Sequence, residues 1–165
     1  MAGVFDGWSE FNVAMVGATA ALAGLLIVAM SVNIGEIMKS PSLPPRAASS
    51  IASLVLAMAA GALGLVPEQP PALYGVEVLA GAVIASFFQV HAIRVITRDD
   101  RPATPMQRAG KSVLGVLPVA AFLVGGVLLV TGAPSAGLVA VAIGSVLAVI
   151  AAIMMAWVVL VEVLR

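Results

Sequence analysis

The chain has 165 residues, 62% of them hydrophobic and 10% charged, with eight Lys and Arg against eight Asp and Glu. A water-soluble domain of this size cannot hide that share of apolar side chains, because about 45–50% is already typical. Zero net charge and the lack of cysteine exclude a polybasic nucleic-acid binder, a disulfide framework and thiolate chemistry.

Five apolar stretches follow one another near Phe11–Ile34, Ala47–Val66, Leu73–Ile96, Val113–Thr131 and Gly137–Leu164. Crossing a bilayer takes roughly 20 apolar residues per helix. The expected fold is therefore an all-α membrane protein: a bundle of five transmembrane helices forming one domain over residues 1–165. The start Met1–Glu10 has two acids and no basic residue, and it runs into a span too long for a signal sequence. We read the first span as a retained helix.

In that span, small residues recur at Ala14, Gly17, Ala21 and Gly24, continuing to Ser31 and Gly35. Spacings of three and four put them on one stripe. Such a stripe lets another helix approach closely, which is how helices associate in lipid. Trp8 and Phe11 mark the boundary of the span, where aromatic rings prefer the interface. The linker KSPSLPPR has three prolines, expected to end the first helix and stiffen the return. The second span carries Ser53, Ala57, Ala60, Gly61 and Gly64 on one side. The turn VPEQPPALYG then closes an antiparallel hairpin, with Tyr74 expected at the interface.

The third span is the most polar, with Glu77, Gln89 and His91 before Arg94. A carboxylate inside a span costs a few kcal/mol and is by default a candidate functional site. Glu77 lies about one turn in, within reach of headgroups or of hydrogen bonds from Asn12 or Tyr74. His91 returns within about 40° of the same face, some 21 Å further along. The surface between them carries Gly81, Ile84 and Phe88, and Gln89 points about 120° away. Glu77, His91 and Gln89 are thus the candidate ion, proton or partner site. The bland reading makes Glu77 an interface residue and bonds His91 to a carbonyl or to Glu162. The fourth span holds Pro118, an expected kink, and the pair Gly125–Gly126. The fifth aligns Gly137, Gly144, Ala148, Ala151 and Met155, then Glu162 and Trp157 near its end. Glu162 is three residues from Arg165 and in pairing range of it.

Threaded five times, the chain puts Lys39, Arg46, Arg94, Arg98, Arg101, Arg108, Lys111 and Arg165 on one side and no basic residue on the other. The positive-inside rule makes that side cytoplasmic, with the N-terminus outside and the C-terminus inside. Arg94, Arg98, Arg101, Arg108 and Lys111 are the expected topology and lipid-headgroup contacts. No two-His helical motif, hydrolase triad or phosphate-binding loop is present, so no catalytic residue, cofactor or metal is expected. The expected partners are the lipid bilayer and either a second copy or another membrane protein, not nucleic acid.

Three stretches together carry a family likeness: WSEFNVAMVGATAALAGLLIVAMSVNI, the LPPRA and LVPEQ ends of the second span, and AWVVLVEVLR. The combination resembles a largely uncharacterised family of small bacterial integral membrane proteins, some labelled "modulator of FtsH protease". The resemblance implies a multi-pass protein of the bacterial inner membrane, without catalytic residues to transfer. Two functions from different classes follow as expectations. One is a non-enzymatic protein acting through helix–helix association, as a homo-oligomer or accessory subunit. The other is an ion or proton channel formed by an oligomer.

Overall fold

The computed structural model describes residues 5–98 and 105–162; side chains are not described at 6, 105–111 and 162. After a single turn at Asp6–Trp8 come α1 (Ser9–Val32), α2 (Ile34–Ile37), α3 (Leu43–Leu63), α4 (Pro71–Arg98), α5 (Pro105–Val130) and α6 (Pro134–Trp157). A π-helical turn, Val158–Glu162, continues α6. Among the described residues all regular structure is helical. Five helices among the described residues are long and apolar enough to cross a membrane: α1, α3, α4, the Ser112–Val130 part of α5, and α6. In lipid this is the expected outcome, because a helix satisfies its backbone polar groups within itself.

The helix ends follow from local chemistry. Pro44 and Pro45 do not separate the first two spans; they form the first turn of α3. Proline fits there because the N–H groups of a first turn have no helical partner to lose. Helix α1 breaks at Asn33, whose side-chain amide bonds back to the Ala29 carbonyl at 3.2 Å and across to the Val159 carbonyl of the π-helical turn at 3.4 Å. Gly132 ends α5 with φ 87, and the Ala133 N–H bonds the Leu128 carbonyl at 2.8 Å. That left-handed glycine cap reverses the chain tightly into α6.

The bundle packs as two antiparallel hairpins, α3–α4 and α5–α6, with α4 against α5 and α1 against α3 and α6. Glycines set the approach at the α4–α5–α6 contacts. A Cβ on Gly75 would meet the Gly126 carbonyl at 3.0 Å, and one on Gly125 the Gly137 carbonyl at 3.0 Å. The Gly125–Gly126 pair thus lets α5 touch backbone on both sides. Gly61 does the same for α3, where a Cβ would fall 2.9 Å from Val16 Cγ2 of α1. Helix α5 runs unbroken through Pro118, which is fully buried beside Phe122 and Val119. The core has two parts. One joins α3, α4, α5 and α6 around Tyr74, Phe122 and Leu129; the other joins Leu26, Ile37, Leu43, Met155 and Val159 at the far end of α1.

Candidate functional site

At the end where α1 begins, polar groups collect under an aromatic cover. Phe5 meets the Tyr74 ring edge-on, with centroids 5.4 Å apart, and Trp8 packs beside them. Tyr74 is buried rather than interfacial, and its hydroxyl donates to the Ala60 carbonyl at 3.1 Å. Asn12 is buried over Gly64: a Cβ there would lie 2.7 Å from Asn12 Nδ2 and 3.5 Å from Tyr74 Oη. Glu77 does not bond to Asn12 or Tyr74. It accepts a hydrogen bond from Gln69 Nε2 at 2.5 Å. Gln69 reaches inward because Glu68, at φ 55, turns the loop and stays exposed itself. Gln69 is 9% exposed, and its buried Oε1 has no hydrogen-bond partner.

A second polar station lies inside the bundle. Gln89 is buried, accepts from the Ser49 hydroxyl of α3, and donates to the Ser112 carbonyl of α5 at 3.4 Å. Its amide lies over Gly115, where a Cβ would sit 2.8 Å from Nε2. Gln89 is therefore an interhelical tie across three helices, a role its sequence position on α4 did not reveal.

His91 is exposed. So are Ile84 and Phe88, which continue the Glu77 face of α4. The face shared by Glu77 and His91 is thus exposed from Ile84 to His91 and half-buried at Glu77 and Gly81, where a Cβ would meet Leu56 of α3 at 2.7 Å, and Gln89 turns away from it into the interior. Arg94 and Arg98 are exposed at the far end of α4. Arg101 and Arg165, with the side chains of Arg108, Lys111 and Glu162, fall outside the described residues, and with them the Glu162–Arg165 pair. Lys39 pairs instead with Glu36, at 2.6 Å, in the turn after Asn33.

The small-residue stripe of α1 also faces out. Ala14, Gly17, Ala21 and Gly24 are exposed, and a Cβ on Gly17, Gly24 or Gly35 would meet no atom within 4 Å. The face of α1 that packs within the chain is another one, formed by Asn12, Thr19, Leu26 and Ala29. Of the five spans α1 is the least buried, with 17% of its central window covered against 44% for α3 and α6.

The fold and these polar stations define a multi-pass α-helical membrane protein. No family model, curated protein or solved structure matches the chain.

Proposed function

We propose that this chain is a non-enzymatic protein of the bacterial inner membrane that acts through helix–helix association, as a homo-oligomer or as an accessory or regulatory subunit. The outward stripe Ala14–Gly17–Ala21–Gly24 is its contact face. One contrast carries the reading. Glycines in α3, α4, α5 and α6, among them Gly61, Gly75, Gly125 and Gly137, are each used for close approach within the chain, while those of α1 open onto empty space. In lipid a smooth, small-residue face favours a second helix, because close packing is what holds membrane helices together. The resemblance to small bacterial membrane proteins supports the same location.

Gly24→Leu tests this cleanly. The position has room for any side chain within the protomer, and leucine suits a helix better than glycine. The monomer should fold and melt as the wild-type monomer does, while native mass in gentle detergent falls or a bound partner is lost. An unchanged native mass with an unchanged complement of bound proteins would rule out this face as a contact.

Channel activity has less support. The surface joining Glu77 to His91 carries Ile84 and Phe88, both exposed, so a path along it would run between molecules and cross an apolar stretch.

A further inference from the structure

Helix α4 turns one line of residues away from the bundle. Its buried face is Val78, Ala82, Ala85, Gln89, Ala92 and Ile96. Opposite it stand Val83, Phe87, His91, Arg94 and Arg98, all exposed. At about 100° per residue, His91, Arg94 and Arg98 fall within about 60° of one another, and Phe87 within about 40° of each. Phe87 is 71% exposed, so it meets lipid rather than a neighbouring helix. The polar members of the line have no partner in the protein. Lys39 pairs with Glu36, and Arg46 is engaged as well. Among the described residues, the side chains of His91, Arg94 and Arg98 make no hydrogen bond or ion pair. Asp99 and Asp100, next in sequence, lie outside the described residues.

The line also has a defined depth. Helix α4 has 28 residues, about 42 Å by helical rise, against a hydrocarbon layer of about 30 Å. With Pro71 at one edge of that layer, His91, 20 positions on, reaches the other edge. Arg94 and Arg98 then lie about one and two turns beyond it, in the headgroup layer. From the membrane centre outward the line runs Val83, Phe87, His91, Arg94, Arg98: aliphatic, aromatic, a ring N–H donor, then two guanidinium groups. An anionic phospholipid has the complementary order of acyl chain, glycerol ester and phosphate.

We propose that this face of α4 binds one anionic phospholipid. Arg94 and Arg98 grip the phosphate, because the guanidinium fork matches its oxygens. His91 donates a ring N–H to an ester carbonyl about one turn deeper, and imidazole has such a donor whether charged or neutral. The acyl chain lies along Phe87 and Val83. Zwitterionic lipids share the phosphate but bring a cation of their own, so a net-anionic headgroup is favoured. Three named donors and a stoichiometry of one separate this site from the general attraction of a basic loop to an anionic surface. Helix α4 packs on α3 and α5, so the site stands whether or not the α1 stripe binds a partner.

The test is native mass spectrometry and thermal unfolding of the purified protein in neutral detergent. The probes are dioleoyl phosphatidylglycerol, dioleoyl phosphatidylcholine and inorganic phosphate. We expect one phosphatidylglycerol per chain to survive conditions that strip phosphatidylcholine. It should also raise Tm saturably, by about 2–5 °C, while inorganic phosphate does nothing. Arg94→Gln and Arg98→Gln should each weaken phosphatidylglycerol binding about fivefold. His91→Leu should shorten the retention of phosphatidylglycerol and leave its preference over phosphatidylcholine in place. Lys39→Gln, at a cation already paired with Glu36, should change nothing. The wild-type comparison of the two lipids needs no variant, so it decides the matter even where a substitution disturbs folding. Equal retention of both lipids would overturn the site. So would a preference that survives Arg94→Gln and Arg98→Gln together, a loss as large in Lys39→Gln, or an equal rise in Tm with inorganic phosphate.

Discussion

Gln89 is the polar side chain whose surroundings are most demanding. It lies in the bundle interior, touches α3 and α5 at once, and rests on a residue with no side chain. Interhelical hydrogen bonds in membranes contribute about 0.6 kcal/mol on average, and a buried partner left unmatched adds to the loss. Gln89→Ala should therefore destabilise the protein by about 1–3 kcal/mol, read by unfolding in mixed micelles. Gly115→Ala should also destabilise, since the new methyl group collides with the amide. The two effects should not add: in the double variant the methyl enters space the amide has left. Strict additivity would show that the two positions do not touch.

Packing in this bundle is decided helix by helix through glycine. Gly126 meets Leu79 and the Gly75 carbonyl, and Gly61 meets Val16 and the Asn12 carbonyl. Adding bulk there forces whole helices apart, at about 1–3 kcal/mol or more per site. Gly126→Leu and Gly61→Leu should thus lower Tm or block folding. Gly24→Leu, on a helix of the same apolar character, should leave the Tm of the monomer unchanged. That three-way comparison of melting curves distinguishes inward from outward small-residue faces. Loss of stability in Gly24→Leu at protein concentrations where only monomer is present would refute the assigned rotation of α1. Helix α5 is the pivot of the packing because adjacent glycines serve both neighbours, Gly126 against α4 and Gly125 against α6.

At the scale of the whole molecule, the distribution of charge sets the expected orientation. With all eight basic residues on one side of the threading, an impermeant thiol reagent added outside should label Glu68→Cys and Ser135→Cys and spare Met106→Cys. The chain has no native cysteine, so the signal is unambiguous. Labelling of Met106→Cys from outside would reverse the assigned topology. Liposomes containing the protein should leak ions and protons no faster than empty ones, since the Glu77–His91 face is exposed from Ile84 to His91. A flux that Glu77→Gln alters would instead establish conduction between protomers.

Much of this architecture was legible without coordinates. Span number and approximate extent follow from side-chain transfer energies, which belong to residues one at a time. The link between the first two spans was not legible in the same way: its prolines were expected to end the first helix, whereas Pro44 and Pro45 open α3 and the break in α1 falls at Asn33. The small faces of α3 and α6, including Ala57, Gly61, Gly144 and Ala148, were visible by spacing and are buried. The same spacing on α1 marks an exposed face, and only the tertiary structure separates the two cases. In water an amphipathic stripe would tell inside from outside; in lipid both faces of a helix are apolar, so rotation about its axis depends on steric fit with distant residues. For the same reason Gln69, a loop residue in the sequence, became the partner of Glu77, and Gln89 became a tie to Ser49. Sequence alone determined that this protein crosses the membrane in helices, because burying apolar residues in lipid is a sum over single side chains. Which polar atoms meet, and which glycines remain open, was decided by contacts between residues far apart in the chain.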